Sequence, residues 1–270
     1  MTTTTVTTAP AAGPAPVDPD EVRDHIRAMY RDVARHPDGA FHFAMGRPLA
    51  ARLGYPEAWL DAAPPEAVAS FAGVGHMLDL AGLEPGHRVL DLGSGAGTDA
   101  FIAAHLVGTD GAVVGVDMTD AQLAKARALR DRAGIRQLSF VEGFVEEPPA
   151  EPGSVDAVIS NGVLNLVPDK DRAFRAIATA LRPGGRLAIA DIVSARPLKE
   201  RTRRNTQLWA ACIAGALPMG DYVGAIEAAG LDVTAIRVNR DYRFLSPRAV
   251  EAADWYGVAS VSIQAVKPGG

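Results

Sequence analysis

Asp91-Leu92-Gly93-Ser94-Gly95-Ala96-Gly97 is the segment of this chain best suited to chemistry. It follows a short apolar run, Arg88–Leu92, and opens a helical pattern. Glycines at alternate positions allow a tight turn and let a ligand approach the backbone. Free N–H groups at the start of a helix then favour an anionic or strongly polar group. A turn with a purely structural job has the same composition, so the loop alone does not decide the ligand. Thr98 stands where a dinucleotide loop of the G-x-G-x-x-G type has its third glycine. Asp117 ends the next strand run, 117 − 91 = 26 residues after Asp91. A carboxylate at that strand tip can accept both hydroxyls of a ribose, each charge-assisted bond being worth about 1.5–3 kcal/mol. The plainer reading of Asp117 is a cap for the helix starting at Met118, a job for which Thr119 is better placed.

Other reactive side chains are sparse. Cys212 is the only cysteine, which excludes an internal disulfide and any zinc site built from several thiolates. Amid Ala211, Ile213 and Ala214 it reads as a small buried hydrophobe, a wall of a substrate site, or a metalloid ligand. His76, after Gly73-Val74-Gly75, is either a base beside a pocket or a solvated loop histidine. Trp209 is an acceptor-site wall or plain core, and Tyr30 has the same two readings. Lys199-Glu-Arg-Thr-Arg-Arg204 is expected to be a solvated helix face, not a nucleic-acid patch.

The elements that must position these residues alternate. Arg88–Leu92, Ala112–Asp117, Leu138–Glu142, Val155–Ser160 and Arg186–Asp191 read as strands. Helical patterns separate most of them: Ala100–Val107, Thr119–Ala133 with Thr119 and Gln122 as a capping box, and Asp169–Leu181. The last of these stops at Arg182-Pro183-Gly184-Gly185. This alternation predicts an α/β fold, a mostly parallel sheet with helices on both faces. After Asp191 the rhythm breaks into a long helical stretch from Leu198 to about Gly230, interrupted near Pro218. Two late strands follow, Asp232–Val238 and Ala259–Val266, with Tyr242, Phe244, Trp255 and Tyr256 between them. Upstream, Asp18-Pro19-Asp20-Glu21 starts a helix whose apolar positions are Val22, Ile26, Met29 and Val33. Residues 18–80 therefore form a small helical accessory region, and 81–268 the main domain, with helical insertions near 194–230 and 239–257.

Composition narrows the class of function. The 270 residues are 48% hydrophobic and 22% charged, as in ordinary globular chains, and hold 27 Lys and Arg against 32 Asp and Glu. A net charge of −5 argues against a protein whose main work is holding nucleic acid. No apolar stretch reaches the roughly 20 residues of a membrane span. Residues 1–17, rich in Thr, Ala and Pro, lack the basic start and apolar core of a secretory signal and are expected to be a disordered tail. The single cysteine fits a reducing compartment, so a cytoplasmic location is expected.

VLDLGSGAG, GVDMT and LRPGGRL together resemble the class I S-adenosylmethionine-dependent methyltransferases. GVDMTDAQL, ISNGVLNLVPDK, LRPGGRLAIADIV and WAACIAGAL are similar to the arsenite methyltransferase family and its relatives, over about Val22 to Pro268. The resemblance implies a seven-stranded Rossmann-like sheet, its last strand antiparallel, and S-adenosyl-L-methionine as cofactor. It implies that Gly93, Ser94 and Gly95 meet the methionine moiety, that Asp91 is among the cofactor-binding residues and that Asp117 binds the ribose hydroxyls. Met118 would pack on adenine, Gly143 and Phe144 would edge its ring, and Asn161 would face the methionine end. Tyr30 lies near the family's cofactor lid. Tyr30, His76, Asn165, Trp209 and Cys212 are the candidates for a substrate pocket. The family departs from this chain at one point. Its arsenic(III) site uses several thiolates, and Gly162 stands where one is expected, leaving Cys212 alone.

These residues predict methyl transfer to a small organic molecule, with no metal and no assigned catalytic residue. Two alternatives stand beside it. One is an arsenite methyltransferase using external thiols, and the other a cofactor-binding protein without transfer. A nucleotide-dependent oxidoreductase is disfavoured by Thr98 and the two late strands.

Overall fold

The computed structural model describes residues 18–36, 39, 41, 43–205, 208–209 and 212–269. The expected tail at 1–17 lies outside the described residues, as do 206–207 and 210–211 of the expected helix after Leu198. Helix α1 (Pro19–Arg35) begins as its sequence requires: the Asp18 carboxylate accepts from Asp20 N at 2.9 Å, and Pro19 takes the first position. Short helices α2 (Gly46–Arg52), α3 (Glu57–Ala62), α4 (Pro65–Ala69) and α5 (Leu78–Ala81) follow before the first strand.

The sheet follows in the order predicted. Strands β1 (Arg88–Leu92), β2 (Ala112–Asp117) and β3 (Leu138–Glu142) are separated by α6 (Thr98–Val107) and α7 (Asp120–Ala133). Strands β4 (Val155–Asn161) and β5 (Leu181–Val193) flank α8 (Lys170–Ala180). Then come α9 (Glu200–Arg203), α10 (Met219–Ala228), β6 (Asp232–Val238), α11 (Pro247–Tyr256) and β7 (Ala259–Val266). One seven-stranded sheet results, with spatial order β3-β2-β1-β4-β5-β7-β6. Strands β1 to β5 pair in parallel, and β7 runs antiparallel to both β5 and β6. Apolar side chains on both sheet faces are buried in two clusters, one holding Phe101, Phe140 and Met77, the other Phe174, Tyr222 and Ile263. Burial on both faces is what such Val- and Ile-rich strands demand.

Three expectations are corrected. Arg182-Pro183-Gly184-Gly185 belongs to the start of β5, where the register to β4 shifts between Val155 and Ala157. Gly184 N still donates to Lys267 O, so this segment is held by sheet bonds and not by a free turn. No continuous helix runs from 198 to 230: among the described residues α9 ends at Arg203 and α10 begins after Pro218. The Thr119–Gln122 capping box does not form. Thr119 caps α7 without a side-chain cap bond, and Gln122 Nε2 instead donates to Tyr30 O at 3.0 Å. A longer-range contact to α1 has outcompeted the local one.

Candidate active site

Register places the site. Leu92 of β1 lies opposite Val116 of β2 and Ser160 of β4, and Asp117 lies opposite Glu142 of β3. The segments starting at Gly93, Asp117, Gly143 and Asn161 therefore leave the sheet along one edge. From β1 the chain winds outward through β2 and β3, and from β4 it winds the other way. The crevice of such a sheet opens where that order reverses. A cleft lies there, its empty space about 1060 Å³ with open solvent included. Asp91, Gly93, Ser94, Gly95, Asp117, Met118, Gly143, Phe144, Asn161 and Tyr30 all line it.

The glycine loop is folded back onto β2: Gly93 N and Ser94 N both donate to Val116 O, at 2.8 and 2.9 Å. Gly93 has φ +74°, and a Cβ there would run into Val163 Cγ2. Only glycine meets both conditions. Asp117 accepts from Gly95 N (2.9 Å, Oδ2) and Thr119 N (2.8 Å, Oδ1). It thus ties the glycine loop to the entry of α7. Each carboxylate oxygen keeps a second lone pair for a ligand hydroxyl. Burial pushes its pKa up, and the bonds from Thr119 and Gly95 oppose that rise.

Behind the loop lies a buried acidic network that sequence reasoning missed. Asp99 accepts from Tyr55 OH at 2.6 Å and from Asn161 Nδ2 at 3.1 Å. Burial raises its pKa to about 6 even against those two bonds. Asp91 is raised further, first by burial and then by the charges of Asp99 and Asp117. Its Oδ2 is a buried atom without a partner, as are Ser94 Oγ and Gln122 Oε1, and all three residues line the cleft. Orphaned buried polar atoms are costly in native structures, so their cluster marks a place for a ligand. The Asn161 side chain is already committed: Oδ1 accepts from Val74 N at 2.8 Å and Nδ2 donates to Gly75 O at 2.9 Å.

Helix α1 covers one side of the cleft with Arg23, Ile26 and Tyr30. Arg23 pairs with Glu146 at 3.1 Å, a carboxylate only 7% exposed, and its guanidinium stands 5.0 Å from the Phe144 ring. Arg27 stands 5.5 Å from the same ring. Neither Arg23 nor Glu146 is marked by sequence alone. An amphipathic helix with arginine on its cleft edge, and a carboxylate two residues past Phe144, were the available signals.

The other substrate-side candidates do not line this cleft. His76 is buried against Tyr55 and Trp59, with ring centroids at 4.5 and 5.6 Å, and burial lowers its pKa. It is neither a solvated loop residue nor a base at the cleft. Asn165 is fully buried and donates through Nδ2 to Cys212 O at 3.0 Å. Trp209 is 3% exposed, with Nε1 donating to Arg203 O at 2.7 Å. Cys212 has φ +60°, and burial pushes its thiol up to about 12. Tyr30 bridges the two groups: it lines the cleft and lies within electrostatic reach of Cys212 and Tyr242. Among the described residues no group of three or more His, Cys, Asp or Glu is arranged to hold a metal ion, and no helix is long and apolar enough to cross a membrane.

Comparison with known proteins agrees with this geometry. The family described as a methyltransferase domain matches residues 83–245. An arsenite methyltransferase of Halobacterium salinarum is 33% identical over 270 residues, covering 93% of this chain and 68% of that protein. An arsenite methyltransferase of Aquipseudomonas alcaligenes is 38% identical over 194 residues, covering 69% of this chain and 52% of that protein. A crystal structure of an arsenic(III) S-adenosylmethionine methyltransferase from Chlamydomonas reinhardtii superposes with a TM-score of 0.62 at 30% identity, covering 83% of this chain and 74% of that one. The chain belongs to the class I S-adenosylmethionine-dependent methyltransferases. Within that class it is related to the arsenite methyltransferases, although it spans only about half to two thirds of the two curated relatives' length.

Proposed function

We propose that this chain transfers the methyl group of S-adenosylmethionine to a small organic acceptor. One observation carries the choice of acceptor: Cys212 is the only cysteine in the sequence. Trigonal arsenic(III) needs several soft sulfur ligands, and this chain supplies at most one. The same charge balance argues against anionic acceptors. Asp91, Asp99, Asp117 and Glu146 line the cleft, and Arg23, the one Lys or Arg among the lining residues, is engaged by Glu146.

The residues fit the cofactor. Asp91 Oδ2 and Ser94 Oγ are orphaned polar atoms at the loop that would take the methionine end. Asp91 would hold the ammonium and Asp117 the ribose hydroxyls. Met118 and Phe144 would flank adenine, and Asn161 would contribute only its backbone. Bound S-adenosylmethionine supplies a methyl group already activated by its sulfonium. The protein's part is then alignment and exclusion of water. Helix α1 would close the cleft for that purpose. Tyr30 would separate the cofactor from an acceptor compartment near Cys212 and Tyr242. The cleft lining holds a single Lys or Arg, and that one is paired, which supports a small-molecule partner over nucleic acid. A cytoplasmic location belongs to the same proposal.

The rival reading, arsenite methylation with borrowed thiols, draws on the activity for which the relatives are named. Incubation with labelled S-adenosylmethionine and a panel of phenols, thiols, amines and arsenite separates the two. Label is expected in an organic acceptor. Strong arsenite methylation without added thiol, lost in Cys212→Ser, would show the organic reading wrong. No transfer to any member of the panel, with the cofactor bound, would favour a binding protein.

A further inference from the structure

The wall of the cleft opposite α1 is the segment after β4. Val163, Leu166, Val167 and Pro168 line it, and a 3-10 turn at Leu164–Leu166 shapes it. Val163 closes directly over Gly93. Behind the wall sits Lys170, only 7% exposed, at the first position of α8. A cation is doubly disfavoured there, by burial and by the positive end of the helix dipole. Its Nζ nevertheless donates to Asn165 O at 3.0 Å and Val167 O at 2.9 Å and stands 5.6 Å from the Trp209 ring. Asn165 in turn holds Cys212 O, and a Cβ at Gly215 would run into Asn165 O. Lys170 of α8, the post-β4 turn and the Trp209 ring thus meet at one ammonium, with Cys212 and Gly215 packed against Asn165.

We propose that Lys170 is a positioning residue: its ammonium ties the Asn165 and Val167 carbonyls together and so holds the Val163–Pro168 wall against the glycine loop. The effect on cofactor affinity rests on the reading of this cleft as the cofactor site, whereas the hold on the wall does not. The charges facing Lys170 are Asp191 of β5, Arg203 of α9, Glu146 after β3 and Asp171 of its own helix. Asp191 is itself bonded to Tyr222 OH of α10 at 2.6 Å. Burial lowers the Lys170 pKa to about 8, with Asp191 opposing the fall. Above that pH the charge-assisted bonds weaken, and the wall loosens.

Two readouts test this. Hydrogen exchange at pH 7, without ligand, follows the Leu166 and Val167 amides, which donate to Val163 O and Leu164 O. In Lys170→Met these are expected to exchange at least about tenfold faster, with the β1 and β4 amides unchanged. Calorimetry with S-adenosylhomocysteine at pH 7 and pH 9 is expected to show about tenfold weaker binding in Lys170→Met. Wild type is expected to weaken between the two pH values, and Lys170→Arg, which does not titrate there, to hold its affinity. Unchanged exchange in Lys170→Met overturns the proposal. Should Lys170→Met fail to fold, wild type and Lys170→Arg are compared by exchange at pH 9, and equal protection overturns it. If wild type binds no S-adenosylhomocysteine at either pH, the cofactor reading fails, while exchange still decides the role of Lys170.

Discussion

Arg23→Ala should open the clasp between α1 and the loop after β3. The Glu146 carboxylate is 7% exposed and the Arg23 side chain 27%, so their 3.1 Å pair lies between two regimes. Breaking a fully buried pair costs ~3–5 kcal/mol, and an exposed pair is worth ~0–1 kcal/mol. A value of about 1.5 kcal/mol is reasonable for this half-screened pair. The cation–π contact to Phe144 adds ~0.5 kcal/mol, since Arg27 keeps its own position over the ring. A loss of about 2 kcal/mol corresponds to about thirtyfold in the closing equilibrium. S-adenosylhomocysteine affinity, read by calorimetry, should weaken by that order, and amides of α1 should exchange faster in the liganded protein. Because Ile26 and Val33 remain buried, α1 itself should stay helical. Affinity within twofold of wild type, with unchanged protection of α1, would refute the role given to this clasp.

Removing residues 1–17 leaves Asp18 as the cap of α1 and should not change S-adenosylhomocysteine affinity, whereas removing 1–36 deletes Arg23, Ile26 and Tyr30 and should abolish turnover; both are read by calorimetry and labelled-methyl release. Asp117→Ala should weaken the same ligand by at least about tenfold, since two charge-assisted hydroxyl bonds are lost, and an unchanged constant would remove Asp117 from the site. Cys212 should resist iodoacetamide at pH 8 by about three orders of magnitude relative to the urea-unfolded chain, because a thiol at about 12 is almost wholly protonated there. The sign for stability follows: between about pH 9 and 12 the unfolded chain binds fewer protons at this thiol than the native one, so its contribution falls as pH rises. Cys212→Ser should flatten that part of the urea-midpoint profile.

Strand positions and the glycine loop were legible because both are local: a short apolar run ended by glycines has few other readings. Asp117 was legible for the same reason, as a strand-tip acid at a fixed distance from the loop. What escaped were pairings across many residues. Nothing near Asn161 in the chain shows that its amide would be used up by Val74 and Gly75. His76 reads as a loop residue by composition, yet Tyr55 and Trp59 enclose it. Gln122 fits a capping box on spacing alone, and only the docking of α1 redirects it to Tyr30. The buried Asp99–Tyr55 contact joins residues 44 apart and leaves no periodic trace.

Strand β7 has a consequence for the order in which the molecule can assemble. It is the latest strand in the chain, yet it lies between β5 and β6. Its Ser260 and Ser262 hydroxyls also donate to Val74 O and His76 O, 186 residues earlier. While the polypeptide emerges from a ribosome, β1 to β5 can pair as they appear. Strand β6 has no sheet neighbour until β7 arrives, and the segment around Val74–His76 lacks two of its acceptor contacts. Completion of this side of the sheet is thus postponed until β7 has been made. Non-local closure of this kind is slow and leaves apolar edges open to aggregation. A nascent chain stalled before Ala259 should therefore be a client for chaperones, even with every residue of the glycine loop already in place.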